Sequence, residues 1–228
     1  MTSKVIEFED LTTLVGAGAV QQDDLKMLLN VAPRLVAADG GAKHALAINV
    51  IPDAVIGDFD SFSSDCHNRI PNDQKYHVGE QDSTDFEKTL SRISAPLIFG
   101  IGFTGPRIDH QLAAFSCLIR FAHQRCILID SVQVIFLCPP EVEILCGQNT
   151  LISLFPMVPL SAESTGLYWP LDGLKLGPDQ VIGTSNCTER SKVCLRVNRP
   201  GLLVILRRKN WACVMNALIA SSSNWPVQ

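Results

Sequence analysis

The chain has 228 residues, of which 46% are hydrophobic and 18% are charged. This balance supplies enough apolar side chains for a large core and excludes an intrinsically disordered protein. The formal net charge of −4 gives no basic excess for nucleic acid or an anionic membrane surface. No uncharged apolar stretch reaches the roughly 18 residues that a membrane span requires.

Eight cysteines are scattered along the chain, without a Cys-x-x-Cys pair or zinc-finger spacing to histidines. Several lie inside apolar runs, as Cys126 does in Cys-Ile-Leu-Ile, which is typical of small buried hydrophobic side chains. We therefore expect free thiols and a reducing compartment. The first ten residues are acidic and lack the apolar region of a signal peptide, so we expect a cytoplasmic protein.

Apolar runs and helical spacing alternate from the start of the chain. Residues 11–20 begin as a β-branched strand and end in glycines, and residues 23–31 have helical spacing. Residues 34–38 form the next apolar run, and the paired glycines in Asp39-Gly-Gly let the backbone approach a ligand closely. Residues 42–49 predict a further helix.

Residues 52–61 have the pattern of a buried strand that ends in a polar crevice, where open α/β sheets bind ligands. Three apolar residues stop at Gly57, and Asp58 and Asp60 follow. If residues 58–60 are extended, the two carboxylates point to one side with Cα atoms about 6.6 Å apart, and they can share a hard cation. An ordinary turn is the alternative, because Asp and Ser are common turn residues.

A helix is predicted to begin at Thr84, because Thr84-x-x-Glu87 matches a capping box. The helix dipole favours Asp85 in the first turn, and the same N-terminus suits phosphate binding. The capping box accounts for Thr84 and Glu87, but it does not explain the presence of Gln81, Asp82 and Asp85.

A glycine-rich turn follows the apolar run at residues 97–101 and leads into a long helix with one apolar face. Asp109 has an ordinary explanation as the N-cap of this helix. Arg107 is harder to explain structurally, since arginine in such a turn suits bidentate recognition of phosphate.

The acids and the lone arginine thus follow predicted strands. Alternating strands and helices predict an α/β domain with a doubly wound, mostly parallel sheet. One edge of that sheet would carry Asp39, Asp58, Asp60, Asp82, Asp85, Arg107 and Asp109. So many carboxylates beside a phosphate site repel one another strongly, and a divalent cation that bridges them to phosphates removes the repulsion.

From about residue 126 the pattern changes to short strands separated by turns. We expect two domains, residues 1–130 and an all-β sandwich over residues 131–228. Gly183-Thr-Ser-Asn186 is expected to be a polar turn between strands, and residues 221–228 are expected to fray.

Six motifs, in one order along the chain, resemble the thiamine pyrophosphokinase family. They are Asp39-Gly-Gly, Gly57-Asp-Phe-Asp-Ser61, Gln81-Asp-Ser-Thr-Asp-Phe86, Gly105-x-Arg-x-Asp-His110, Gly166-Leu-x-Trp169 and Thr184-Ser-Asn186. Each motif is modest alone, but their order across an α/β half and a β half is specific. The resemblance implies transfer of diphosphate from ATP to thiamine, which gives AMP and thiamine diphosphate. It also implies an N-terminal domain that binds ATP and Mg²⁺, and a homodimer with thiamine bound where the subunits meet.

The resemblance also implies roles for individual residues. The implied metal ligands are Asp58, Asp60 and Asp85. The implied nucleotide contacts are Asp39, Thr84, Arg107 and Asp109, and the implied thiamine contacts are Gln81, Asp85, Ser185 and Asn186, the last two from the second subunit. Arg107 would offset charge on the diphosphate, and Asp85 would orient or deprotonate the thiamine hydroxyl. Some relatives place an aromatic side chain against thiamine on the strand after the Thr-Ser-Asn motif; that strand has none here, and Trp169 is the possible substitute.

Two other functions compete with this one. A Mg²⁺-dependent nucleotide phosphohydrolase would need the acids but no pocket for a second substrate. A non-catalytic nucleotide-sensing module would tolerate loss of a metal ligand, and the presence of all three acids argues against it.

Overall fold

A computed structural model describes residues 6–227. The chain divides into two compact units, Met1–Cys117 and Leu118–Gln228. The division falls inside the helix Ile108–Arg120. It therefore comes before residue 130, where the sequence pattern predicts the end of the first domain. The predicted order of an α/β half followed by a β-rich half is confirmed.

The N-terminal unit has a parallel sheet with helices between its strands. Its strands are β1 (Ile6–Glu7), β2 (Thr12–Val15), β3 (Arg34–Ala38), β4 (Ala54–Gly57), β5 (Lys75–His77), β6 (Ile93–Ser94) and β7 (Ile98–Ile101). Its helices are α1 (Gln22–Leu29), α2 (Ala42–Ala47), α3 (Ser64–Arg69), α4 (Asp85–Leu90) and α5 (Ile108–Arg120), the last of which continues into the second unit. The strands of the main sheet follow the order β7-β2-β3-β4-β5, and each described neighbouring pair is parallel.

Burial explains why these short apolar runs form a parallel sheet. All four residues of β2, β4 and β7 are buried, which is typical of parallel strands covered on both faces. The chain moves outward from β2 through β3 and β4 to β5, and then returns to place β7 on the other side of β2. The order therefore reverses between β2 and β7, and the carboxyl ends of those strands form the crevice in which such sheets bind ligands.

The C-terminal unit is built from antiparallel strands. They are β8 (Cys126–Ile129), β9 (Gln133–Leu137), β10 (Glu141–Leu145), β11 (Leu151–Pro156), β12 (Ala162–Thr165), β13 (Gly183–Cys187), β14 (Lys192–Val197) and β15 (Leu202–Arg207). They pair in the orders β13-β11-β15-β9-β8 and β10-β14-β12. A helix that the sequence analysis missed, α6 (Trp211–Ala220), follows β15.

Two local predictions for this unit are wrong. The Thr-Ser-Asn motif was expected to be a turn, but it lies in β13 at a register shift against β11. Ser185 takes the irregular backbone there, with a φ of +58°. The tail from Ser221 was expected to fray, yet Trp225 Nε1 donates to the Cys138 carbonyl at 2.9 Å and Arg125 donates to the Ser221 carbonyl at 2.6 Å.

All eight cysteines are free, as predicted, and four of them are buried. Among the described residues 6–227, no helix has the length and apolar character needed to cross a membrane.

Candidate active site

A cavity of about 720 Å³ in the N-terminal unit lies where the sheet order reverses. The loops after β2 and β7 form part of its wall, through residues 17–19 and 102–107. The start of α4 and part of α5 also contribute, together with residues from α2 and from the loops after β4 and β5. The wall brings together five of the residues predicted for the site: Asp58, Gln81, Thr84, Asp85 and Arg107.

The loop after β4 is held in a strained conformation. Asp39 has a φ of +40° and Phe59 a φ of +65°, in a region that residues other than glycine seldom adopt. Asp39 is 2% exposed, and its Oδ1 accepts a hydrogen bond from the Phe59 N–H at 2.9 Å. Of the two conformations considered for residues 58–60, the extended one is not adopted, because the left-handed Phe59 turns the chain between the two acids. Strain of this kind persists only where the surroundings enforce it, and it clusters at functional sites.

Three hydrogen bonds converge on the Asp58 carboxylate. Its Oδ2 accepts from Lys88 Nζ at 2.7 Å and from Gln81 Nε2 at 3.5 Å. Its Oδ1 accepts from the backbone N–H of Asp60 at 3.3 Å. The hydrogen bond from Lys88 is the main reason why the pKa of Asp58 lies below its usual value. Asp58 is therefore a carboxylate at neutral pH.

Asp85 has a different environment at the start of α4. Thr84 Oγ1 accepts from the Glu87 N–H at 3.3 Å, which confirms the predicted N-cap. Burial raises the pKa of Asp85, and the negative charge of Asp39 raises it further. The site thus holds two acids, Asp58 and Asp85, whose environments push their pKa values in opposite directions, a pattern found where acids divide catalytic roles.

Sequence reasoning missed Lys88, which also lines the cavity. Its side chain is only 3% exposed, although lysine is rarely buried without a partner. Its Nζ lies 2.7 Å from Asp58 Oδ2 and 3.9 Å from Asp85 Oδ1. The spacing of three residues from Asp85, which places both side chains on one side of a helix, was the available signal.

Other predicted residues lie outside the cavity wall. Asp60 is exposed, and Asp39 is buried beneath the loop after β4. Asp109 pairs instead with Arg107, whose Nη2 donates to Asp109 Oδ2 at 2.5 Å while both side chains remain exposed. That hydrogen bond is the main reason why the pKa of Asp109 is lowered. The roles of these three acids stay predictions.

A second cavity, of about 240 Å³, lies in the C-terminal unit and is lined by Trp169, Leu174, Ile182, Ser185 and Asn186, among others. The Trp169 side chain is 57% exposed, whereas Asn186 is 3% exposed. Asn186 Nδ2 donates to the Trp169 carbonyl at 2.7 Å, and Asn186 Oδ1 accepts from the Trp169 N–H at 3.3 Å. Asn186 therefore fixes the backbone of Trp169, and Ser185 and Trp169 are the more accessible groups.

The acids of the first cavity suit Mg²⁺ chemically, since the donors are carboxylate oxygens. Within residues 6–227, no three His, Cys, Asp or Glu side chains form a group that could hold a metal ion. Mg²⁺ is usually bound through one or two carboxylates together with water and substrate phosphates, so a preformed cage is not required. Asp58 and Asp85, which share Lys88 as a neighbour, are the two carboxylates of the described cavity wall that could be used in this way.

Comparisons with known proteins match both the sequence and the fold. A family model described as the catalytic domain of thiamin pyrophosphokinase matches residues 25–129, which contain the whole acidic site. Thiamine pyrophosphokinase 1 of Oryza sativa subsp. japonica is 30% identical over 192 residues, covering 69% of this chain and 73% of the relative. The chain belongs to the thiamine pyrophosphokinase family.

Further relatives support membership in the thiamine pyrophosphokinase family. Thiamin pyrophosphokinase 1 of Caenorhabditis elegans is 26% identical over 211 residues, which is 84% of this chain and 86% of the relative. The structure of thiamin pyrophosphokinase from Candida albicans matches with a TM-score of 0.73 at 16% identity, covering 91% of this chain and 94% of that one. The enzyme from Geobacillus thermodenitrificans gives 0.72 at 22% identity, with coverage of 89% and 99%. These structures show the shared fold, and the resemblance drawn from the motifs and the assignment as a transferase are confirmed.

Proposed function

We propose that this protein transfers the diphosphate of ATP to the hydroxyl of thiamine, giving thiamine diphosphate and AMP. The observation that carries the proposal is the cavity that gathers Asp58, Asp85, Lys88 and Arg107 within the region matched by the family's catalytic domain. Transfer of this kind depends on positioning and on neutralising charge, with little covalent participation by the protein. The cavity supplies acids for a cation and the guanidinium of Arg107 for phosphates.

Asp58 and Asp85 are the proposed metal ligands, with Asp60 as a third if its exposed side chain turns inward. Mg²⁺ bound there would neutralise charge on the transferred phosphates and polarise them. The three hydrogen bonds to Asp58 hold its carboxylate in place before any ligand arrives. Asp39 contributes from beneath, since its bond to Phe59 fixes the loop that carries Asp58.

In the proposed reaction, the thiamine hydroxyl oxygen bonds to the β-phosphorus as the bond from that phosphorus to the α,β-bridging oxygen breaks. The bridging oxygen leaves on AMP, and the hydroxyl proton passes to Asp85 or to water. Asp85 lines the cavity at the start of α4, where its carboxylate would accept that proton. Gln81 lies on the same wall and would orient the hydroxyl.

Arg107 is the proposed clamp on the phosphates. Its guanidinium is exposed and held by Asp109 within the same turn, which fixes its orientation. A phosphate group that replaces Asp109 as the partner of Arg107 can accept two hydrogen bonds in the same bidentate geometry. Thr84, on the cavity wall at the start of α4, would add a hydroxyl contact, and Thr84 and Asp109 complete the proposed nucleotide contacts.

We place the thiamine ring against Trp169, in the second cavity. Its exposed indole face suits an aromatic cation, and the support of Asn186 keeps the backbone of Trp169 fixed. A homodimer would supply Ser185, Asn186 and Trp169 from the second subunit, at a site shared between subunits.

We also propose that the chain has two domains with separate functions. Residues 1–130 form a doubly wound ATP and Mg²⁺ domain, and residues 131–228 form a sandwich for thiamine binding and dimerisation. Alternating burial along β10 and β11 supports two sheets that face one another. The free cysteines support a cytoplasmic location.

The deciding experiment incubates the protein with ATP and Mg²⁺, with and without thiamine, and measures AMP and thiamine diphosphate. Equal amounts of both products that depend on thiamine are expected. Nucleotide cleavage without thiamine would instead identify a phosphohydrolase, and binding of ATP without any product would identify a sensor. Asp58→Asn should abolish the metal-dependent product, whereas Asp23→Asn, a change at a 97% exposed side chain, should not.

Sharing of the site between subunits is tested by mixing two inactive variants. Asp85→Asn and Trp169→Ala each damage one half of a shared site. Random exchange of subunits restores about a quarter of the sites if the halves come from different subunits of a two-fold dimer. No recovery in a mixture that forms heterodimers would place both halves in one chain.

A further inference from the structure

Lys88 is the one residue of the described cavity wall whose burial and charge the proposed reaction does not use. It lies on α4, one turn after Asp85, and its side chain is 3% exposed. Placing an ammonium group there is unfavourable unless it is fully compensated. Asp58 at 2.7 Å and Asp85 at 3.9 Å provide that compensation, and both are proposed metal ligands.

We propose that Lys88 is a positioning residue that holds Asp58 in place for a divalent cation and competes with that cation for the negative charge of the site. This inference rests on the proposed function, because it concerns the metal that the reaction requires. Lys88 acts through Asp58 and has no contact with the reacting atoms assigned to it.

The hydrogen bonds of Asp58 leave room for a metal. A carboxylate offers about four lone-pair positions, and those that face Lys88, Gln81 and the Asp60 N–H do not use all of them. Lys88 therefore has no need to leave when a cation binds. Because it is almost wholly buried, swinging away would leave a charge unpaired inside the protein.

The local charges also point to this arrangement. The ammonium of Lys88 lies 2.7 Å from Asp58 Oδ2 and 3.9 Å from Asp85 Oδ1. Its positive charge offsets part of the negative charge of these two acids and opposes a cation held by the same carboxylates. Without Lys88, a cation would therefore be drawn more strongly to a less ordered pair of acids.

A purely structural role for Lys88 predicts a different outcome. If the ion pair only ties α4 to the loop after β4, its removal lowers stability and leaves metal affinity unchanged or weakened. If Lys88 competes with the metal and positions its ligand, its removal raises metal affinity and lowers turnover. Metal affinity rises while turnover falls only if Lys88 competes with the metal and positions its ligand.

The test compares Lys88→Met, which keeps length and loses charge, with Lys88→Arg, which keeps charge. Mn²⁺ binding to the nucleotide-free protein is measured by electron paramagnetic resonance at neutral pH, and kcat and KM for ATP are measured separately. Lys88→Met should bind Mn²⁺ about tenfold more tightly or better and should have a lower kcat, while Lys88→Arg stays close to wild type in Mn²⁺ affinity. Lys26→Met, at an exposed lysine of α1, is the matched control and should change neither.

A folded Lys88→Met with unchanged or weaker Mn²⁺ affinity would overturn the proposal. Should that variant fail to fold, the wild-type protein labelled with ¹⁵N-lysine provides a second readout. The ammonium signal that disappears in Lys88→Arg belongs to Lys88, and saturating Mg²⁺ should shift it without abolishing it. A Lys88 ammonium signal whose chemical shift does not change at saturating Mg²⁺ would also overturn the proposal.

These measurements separate the inference from the proposed function. The Mn²⁺ titration is run without ATP or thiamine, so it reports on Lys88 even if the product assay fails. Absence of thiamine diphosphate would reject the proposed function, and an unchanged Mn²⁺ affinity would reject the role of Lys88.

Discussion

Gly57→Ala tests whether the buried Asp39 carboxylate controls the loop that carries Asp58. A Cβ built on Gly57 would lie 2.6 Å from Asp39 Cβ and 2.8 Å from Asp39 Oδ1. Side chains do not tolerate such distances, so either β4 or Asp39 must move. The Oδ1 atom is the one that accepts the Phe59 N–H at 2.9 Å, so the same displacement strains or breaks that bond.

The expected loss of stability follows from three contributions. Overpacking of a buried position costs about 1–3 kcal/mol. A weakened hydrogen bond to a charged acceptor costs up to about 1.5–3 kcal/mol, since the acceptor is buried. Replacing glycine by alanine also restricts the unfolded chain, which stabilises the folded protein by about 0.4–1 kcal/mol. The contributions overlap, and we expect a net loss of about 2–4 kcal/mol.

Urea unfolding of Gly57→Ala and of Gly105→Ala measures this effect. Gly105 is the matched control for stability, because a Cβ there meets no atom within 4 Å. Metal-dependent turnover of Gly57→Ala should fall with its stability, since Asp58 moves with the loop. If Gly57→Ala has the same urea midpoint of unfolding as wild type, the Asp39 side chain can move without a loss of stability and does not enforce the loop conformation.

Three further predictions follow from individual contacts. Arg107→Lys keeps the charge but loses the bidentate fork, so kcat/KM for ATP should fall by about tenfold or more in the AMP assay, and an unchanged value would exclude Arg107 as the clamp. Trp225→Phe removes the indole bond to the Cys138 carbonyl and should lower the free energy of unfolding by about 1 kcal/mol in urea titrations. The pKa of Asp58 is lowered by Lys88, so their pair stabilises the fold above the unfolded pKa of Asp and loses this as pH falls through the lower folded pKa. Unfolding titrations across the acid range should show this component in wild type and lack it in Asp58→Asn. The raised pKa of Asp85 acts in the opposite direction, and its two largest causes, burial and the charge of Asp39, are present in both proteins.

The sequence alone was sufficient for several strands and helices of the N-terminal unit and for the family. Apolar runs bounded by glycine predicted β3 and β4 closely, because strands buried on both faces leave a continuous apolar pattern. The cap at Thr84 was predicted because its hydrogen bond is local, to a backbone N–H three residues away. The order of the six motifs led to the family for the same reason, since each motif is a short run of neighbouring residues.

Tertiary structure alone decided the features that depend on distant parts of the chain. Lys88 bonds to Asp58 across 30 residues, so its burial has no local pattern in the sequence. Asp39 accepts a hydrogen bond from Phe59 across 20 residues, and Phe59 is left-handed, so the chain turns between the two acids; the sequence had left extended and turned geometries open. The Thr-Ser-Asn motif has the composition of a turn, but pairing with β11 makes it a strand. Local propensity is weak compared with such long-range contacts, and only the folded chain brings their partners together.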